Sequence, residues 1–484
     1  MSTAPRLVKN TLYLTVASIG QKVIAFIYFT IIARYLGVES TGAYFLALAI
    51  VTVIAVLDDV GITSIVIREI AKKTQDVLVW SRTIIGVKLI TMPLTVLIAF
   101  FVPVFLGYDQ EIIDLVRIAV VVMLADTISL SFYGLLRGLQ NLTYESLGIF
   151  VGQILTASIG IALMATGVAT LPLLIVALMI GSIWNMIFSV SQVVKRLGWK
   201  ALVPTWQLGW KPLKMASAFF LAAVFVKVYS YVDSIILSLQ IGNEAVGIYA
   251  VAYKLTYAFQ FLPLAFIAAL YPTMSAQAHD PNRLKKMLLD GFWYMALLVA
   301  PIVFGIWSLA PEIIIAFYGS EYSASILPLQ FLIFVLIFIF LDFPIGSLLN
   351  ATGRQAIKTG IMGLVMVINV TANFFLIPAF GVVGATYAAL ISFAFLFFAG
   401  WYFTKKVVKV TIVDLLRRIS GVFFAAIVMA AAVMLVKPFV HFVLVIPLGV
   451  IVYVAVAFAV RAVTLEHLRA FRRLLRGLPQ NKLL

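Results

Sequence analysis

The sequence predicts an all-α polytopic membrane protein, and three observations carry that prediction. Of the 484 residues, 64% are hydrophobic and only 11% are charged, against ~45–50% apolar and ~25% charged in a soluble domain. Apolar runs extend along the whole chain and give a mean hydropathy of +1.13. The runs are long and uniform, not alternating over ~10 residues, which excludes an outer-membrane barrel. A soluble globular protein, a nucleic-acid-binding domain and a peripheral protein with one anchor are excluded as well. There is no Cys, so disulfides, Fe–S clusters and thiol chemistry are ruled out. A helix of ~20–25 residues with a loop of ~8–12 leaves room for about fourteen spans.

The elements follow in order. Met1 to Asn10 is short and polar, with Arg6 and Lys9. The apolar stretch after it runs to about Ile32. That is too long for a signal-peptide core and no small-residue cleavage site follows, so it reads as an uncleaved first span. Fourteen helices are expected at 11–33, 42–64, 83–105, 111–134, 145–167, 170–194, 214–239, 246–274, 288–317, 327–350, 358–379, 382–404, 414–436 and 440–462. Pro93, Pro263, Pro301 and Pro344 fall inside spans, as kinks whose freed carbonyls neighbouring helices satisfy.

Charge placement orients these spans. With the N-terminus inside, 28 of the 35 Lys and Arg fall on the cytoplasmic side. The richest clusters are 195–214, 405–418 and 461–482. Only Arg34 and Lys437 fall opposite, and five lie within spans. This bias puts both termini in the cytoplasm. It also accounts for the net charge of +16, because basic loops sit against anionic headgroups without a nucleic-acid partner. The expected location is the plasma (inner) membrane.

Two stretches repeat. Leu36–Tyr44 and Ile241–Tyr249 share Gly, Glu, Gly and Tyr at an offset of 205, and the same offset takes Lys22 onto Lys227. Leu135-Leu136-Arg137 resembles Leu348-Leu349-Asn350 at an offset of 213. The spacing corresponds to six helices, so both copies point the same way and are related by an axis along the membrane normal. The expected organisation is an N-terminal lobe over 1–200 and a C-terminal lobe over 201–408. Two further helices follow over 409–463, then a basic cytoplasmic tail over 464–484.

Particular motifs add a resemblance. Ala33-Arg34-Tyr35-Leu36-Gly37, Gly42-Ala43-Tyr44, Asp58-Asp59-Val60-Gly61 and Arg68-Glu69-Ile70-Ala71 resemble the opening of bacterial and archaeal polysaccharide-biosynthesis membrane proteins. These form the oligosaccharide-flippase branch of the multidrug/oligosaccharidyl-lipid/polysaccharide exporter superfamily. Gly381–Ala388 resembles that superfamily's twelfth-helix signature, and Asn350–Arg354 fits its tenth-to-eleventh loop. The resemblance implies two six-helix lobes around a central cavity. It also implies alternating access that moves an isoprenoid-linked sugar across the membrane. A monomeric transport unit, membrane lipids and polysaccharide assembly proteins are the expected associations.

Charges inside the spans are the candidate site. One at the bilayer centre costs roughly 2.5–3.5 kcal/mol. Lys22 lies 12 residues from both Asn10 and Arg34, ~18 Å from either end, too deep to snorkel. Lys227 is equally central. Facing each other, the two repel unless an anion such as a pyrophosphate sits between them. The alternative is private pairing of each with a carbonyl or Asp. Lys254 and Arg34 are the next candidates for the anionic head group. Tyr249, Tyr253 and Tyr257 share one helical face, suited to sugar rings or to ordinary packing.

Among the acids, Asp59 is expected to lock local geometry with Arg68, and Lys88 to partner Asp126. Asp114 and Arg117 are expected to pair. Asp126, Asp233 and Asp342 are the candidates for H⁺ or Na⁺ coupling. No cofactor, metal-ligand spacing or phosphate-binding Gly-rich loop is found. The leading function is a lipid-linked oligosaccharide flippase, not an enzyme. The alternatives are a cation-coupled multidrug antiporter and a membrane-embedded polymerase or ligase. Central lysines argue against a pump for cations, and short outer loops argue against a polymerase.

Overall fold

The computed structural model describes residues 4–72 and 76–464, with side chains from Ile19 onward except at 264, 265, 268 and 269. The 464–484 tail expected from the sequence thus lies almost wholly outside the described residues, as does the side-chain placement of Arg6 and Lys9. The described chain is helical throughout: α1 (Ala4–Leu36), α2 (Val38–Asp59), α3 (Ile62–Ala71), α4 (Val77–Phe105), α5 (Gln110–Gly138), α6 (Thr143–Ala165), α7 (Leu171–Leu197), α8 (Lys211–Gln240), α9 (Asn243–Tyr257), α10 (Leu262–Ala276), α11 (Pro281–Tyr318), α12 (Ile326–Leu332), α13 (Val335–Ala351), α14 (Gln355–Phe380), α15 (Val382–Thr404), α16 (Ile412–Val436) and α17 (Phe442–Ala459). Among the described residues thirteen segments are long and apolar enough to span a bilayer, with α12 and α13 inside one of them. The remaining span of the expected fourteen is broken.

That break corrects a single helix expected over 246–274. The α-helix ends at Tyr257, a 3₁₀ turn covers Ala258–Phe261, and α10 starts at Leu262. Pro263 is the cause. It has no N–H to donate, and its ring collides with the carbonyl four residues back. A second correction concerns the helix expected over 42–64, which ends at Asp59. Val60 is left-handed at φ 42, Gly61 follows at φ 76, and α3 begins at Ile62. A Cβ at Gly61 would meet the Ala216 carbonyl oxygen at 2.7 Å, so glycine serves both the turn and the close approach of α8.

Local capping rules set several other ends. Asp76 and Asp109 accept from the first-turn amides of Leu78 and Ile112, both at 3.0 Å. Thr411 and Asp414 form a capping box, satisfying two otherwise orphaned donors. Large apolar side chains face outward along the helices: Phe105 is 86% exposed, Leu435 73% and Phe375 68%. In water such a surface would aggregate; in lipid it is the matching solvent. This is a multi-pass membrane protein.

The chain forms two compact units. The first comprises Met1–Phe261, Phe317–Pro328 and Thr359–Ser392, and the second Leu262–Ala316, Leu329–Lys358 and Phe393–Leu484. In the first, α2 packs on α4, α5, α8 and α9, and α7 packs on α5 and α6. The second contains the α16–α17 and α10–α13 pairs. It is tied internally by Arg418–Asp290 at 2.5 Å, Lys285–Asp414 at 2.9 Å and Lys437–Glu312 at 3.0 Å.

The 205-residue repeat has a direct structural counterpart inside the first unit. A Cβ at Gly42 would fall onto the Asn243 carbonyl oxygen, and one at Gly247 onto the Val38 carbonyl oxygen. Val38 and Asn243 are themselves related by 205. The two contacts are therefore each other's images, as a two-fold relation requires. The repeated glycines let the α2 and α9 backbones touch where these helices begin. Tyr322 reinforces the region, its hydroxyl lying 2.9 Å from both the Ala33 carbonyl oxygen and Thr41 Oγ1.

Candidate functional site: a cavity with uncompensated lysines

Inside the first unit, α2, α5, α8 and α9 enclose a cavity of about 540 Å³. α2 contributes Tyr44, Phe45 and Asp59, α5 contributes Asp126, α8 contributes Lys227 and Tyr231, and α9 contributes Lys254. One side therefore carries two carboxylates and the other two ammonium groups.

Four cations of the helices have a carboxylate. Lys88 reaches Asp58 at 2.5 Å, with Thr91 donating to the other Asp58 oxygen at 2.9 Å. Lys358 holds Asp342 at 2.5 and 2.6 Å. Arg117 meets Asp114 at 3.2 Å, as expected, and Arg137 donates to Glu145 at 2.6 Å. Lys22, Lys227 and Lys254 differ. Among the described residues none of the three has an ion pair or a hydrogen bond, and aromatic rings face them instead. Lys22 lies 5.9 Å from Phe261 and Lys227 lies 5.6 Å from Tyr231. Lys254 sits between Phe29 at 5.2 Å and Phe45 at 5.3 Å.

Magnitudes show that these rings are not enough. A cation–π contact contributes ~0.5–2 kcal/mol. Lys254 also lies in the last turn of α9, where the helix dipole adds ~0.3–1 kcal/mol. Withdrawing an ammonium from water costs several kcal/mol, and Lys22 and Lys254 repel each other. Among the described residues no carboxylate, neither Asp59 nor Asp126 of the same cavity, pairs with these ammonium groups.

The other residues singled out from the sequence divide as follows. Lys227 and Lys254 line the cavity; Lys22 does not, its side chain being exposed and near enough to Lys254 to repel it. The expected pair of Lys22 with Lys227 is thus replaced on the cavity by Lys227 and Lys254. Arg34 is exposed near the end of α1. Tyr249, Tyr253 and Tyr257 form a packed series, with ring centroids 6.1 and 4.3 Å apart. None of the three lines the cavity, whose aromatic walls are Tyr44, Phe45 and Tyr231.

Two pairings are corrected. Lys88 pairs with Asp58, not Asp126, because α4 faces α2 at that level. Asp59 accepts from the Thr63 hydroxyl, and Arg68 pairs with Glu69 at 3.0 Å. The turn at Val60–Gly61 rotates α3 so that Thr63, not Arg68, comes under Asp59. Of the acids considered for coupling, Asp233 is buried, with Tyr249 donating to one oxygen and the Ser234 amide to the other at 2.8 Å. Asp342 is held by Lys358. Asp126 lines the cavity. Sequence reasoning missed the importance of Tyr44, Phe45 and Tyr231, although Tyr44 stood in the repeat.

The sequence profile of the family described as "Polysaccharide biosynthesis protein" matches residues 7–278, more than half of the chain. The chain belongs to this family. A second profile, described as "MatE", matches residues 218–375 of this polysaccharide biosynthesis family member. A curated relative is the "Probable low-salt glycan biosynthesis flippase Agl15" of Haloferax volcanii, 25% identical over 394 residues, covering 80% of this chain and 81% of that protein. The "Probable flippase AglR" of the same organism is 27% identical over 264 residues, 54% of each chain. Among solved structures, "Lipid II flippase MurJ, inward closed conformation" superposes with a TM-score of 0.76 at 18% identity, covering 93% of this chain and 99% of that one. At that identity the likeness is one of fold.

Proposed function

We propose that the protein is a flippase. It carries an isoprenoid (pyro)phosphate-linked oligosaccharide from the cytoplasmic to the outer leaflet of the plasma membrane, by alternating access between two six-helix lobes. The observation that carries this reading is the group of lysines without carboxylates, Lys227 and Lys254 on the cavity and Lys22 beside Lys254. A phosphate linkage brings compact, multiple negative charge and accepts several ammonium hydrogen bonds. It compensates Lys227 and Lys254 together, which no single aromatic ring does. The sugar occupies the cavity against Tyr44, Phe45 and Tyr231. The isoprenoid chain stays in lipid. The names of the Haloferax volcanii relatives support the same reading, and the charge bias of the loops supports cytoplasmic termini.

A cation-coupled multidrug antiporter is the second reading, favoured by the MatE match and by Asp59 and Asp126 on the cavity. The two readings differ in which charge is indispensable. The test is the Lys227→Gln/Lys254→Gln double variant in cells lacking the native gene, with surface glycan measured at matched protein levels. The flippase reading expects loss of surface glycan by tenfold or more, on the order of the ~1.4 kcal/mol or more that a desolvated charge contact contributes. It also expects partial recovery with Arg, which restores charge but not shape. Full glycan export by the double variant would sink it. In the antiporter reading, Asp126→Asn is the damaging change and the lysines are dispensable. Of the coupling candidates, Asp126 fits H⁺ or Na⁺ coupling to substrate best, since it shares the cavity with the lysines.

A further inference from the structure

A second cavity of about 610 Å³ lies in the first unit between α4, α5 and α7. Its walls are apolar: Ile84, Met92, Phe132 and Val190 are typical. Its lips open sideways, where Leu89 is 61% and Ile187 58% exposed. One end differs. There the lining includes Lys195 and Trp199, at the start of the basic connection that carries Arg196 and Lys200. Among the described residues Lys195 has no ion pair, while Arg196 lies over the Tyr144 ring at 5.0 Å. That connection is fixed to α4 by Ser81 donating to the Ala201 carbonyl and Arg82 to the Val203 carbonyl, each at 3.0 Å. From Lys195 the groove follows one face of α7 to Met186, a depth of ~13 Å. The other cation on its wall, Lys88, is already neutralised by Asp58.

We propose that this groove binds an anionic membrane phospholipid, its phosphate on Lys195 beside Trp199 and one acyl chain along α7. An apolar channel open to the side suits a chain, and a free ammonium at the interfacial end suits a phosphate; only a charged lipid supplies both. An indole beside it is suited to the headgroup level. The site stands directly behind the wall of the central cavity. Ile128 of α5 lines the groove while Asp126 and Thr127 line the cavity, and Lys88 in the groove holds Asp58, the neighbour of cavity residue Asp59. A seated lipid therefore braces the carboxylate side of the transport cavity.

The test uses the full chain in phosphatidylcholine vesicles containing phosphatidylglycerol, with either lipid brominated on its acyl chains. Quenching of Trp199 is read as the difference between the protein and its Trp199→Phe variant. Brominated phosphatidylglycerol is expected to quench at about fivefold lower mole fraction than brominated phosphatidylcholine, the ratio equivalent to ~1 kcal/mol for one lysine at a lipid phosphate. Lys195→Gln should bring the two lipids to parity, and Val190→Phe, which fills the groove, should weaken quenching by both. Lys285→Gln, at a basic position paired with Asp414, should change nothing. The proposal fails if the two lipids quench alike, or if Lys285→Gln acts like Lys195→Gln. It fails equally if Val190→Phe is without effect, or if added polyprenyl phosphate displaces the brominated lipid mole for mole, which would mark the groove as a seat for the carrier's own tail.

Discussion

Two kinds of lysine occur in these spans, and they make opposite predictions. Lys88 is 4% exposed and shares Asp58 with Thr91. Removing its charge with Lys88→Met leaves a buried carboxylate alone, which costs ~3–5 kcal/mol. The expected result is a strong fall in thermal stability in detergent, reversed largely by adding Asp58→Asn. Lys227 has only the Tyr231 ring, so Lys227→Gln relieves an uncompensated charge and should leave stability unchanged or higher while glycan export falls. Such a trade between stability and activity is characteristic of a binding site. If Lys227→Gln destabilises as much as Lys88→Met, Lys227 is structural. The distinction was only half legible in the sequence. The depth of Lys22 and Lys227 follows from counting residues at a fixed rise. Which cation meets which acid does not, since Asp58 and Lys88 are 30 positions apart and their meeting depends on how α2 and α4 are rotated.

At the level of elements, the α2–α9 crossing is the sharpest constraint. Gly42 and Gly247 face backbone atoms, which cannot move aside as a flexible side chain can. Gly42→Ala or Gly247→Ala must therefore separate the two helices at their beginnings. Either alanine is expected to cost ~1–3 kcal/mol, read as a lower midpoint of thermal unfolding in detergent. Gly360→Ala, where an added Cβ meets nothing within 4 Å, should not lower the midpoint. An unchanged midpoint for Gly42→Ala or Gly247→Ala would show that the crossing absorbs a methyl group. The repeat announced this pair of glycines, though not their purpose. Other element boundaries needed the structure. The expected span over 246–274 contained Pro263 but read as a kink, whereas α9 ends at Tyr257, three residues after Lys254, and the backbone continues as a 3₁₀ turn over Ala258–Phe261. The expected span over 42–64 hid a left-handed Val60, a conformation uncommon enough for a β-branched residue that no pattern of hydropathy signals it.

For the whole molecule, the basic loops predict an orientation that can be checked directly. A reporter placed between Trp199 and Trp210 should be cytoplasmic, and one in the turn at Gly167 should be external. The reverse pattern would reject the proposed direction of transport. Helical class, the approximate number of spans and the duplicated segment all follow from the sequence, because each depends on properties that add up along a chain. Hydropathy, loop charge and a rise of ~1.5 Å per residue need no knowledge of neighbours. The partnership of Lys88 with Asp58, the placement of Lys254 and Lys227 on one cavity, the exclusion of Tyr249, Tyr253 and Tyr257 from that cavity and the apolar groove at Lys195 were decided only by tertiary structure. Each depends on the rotation of one helix against another. That rotation is set by packing, glycine contacts and local breaks summed over several elements, not by any one of them.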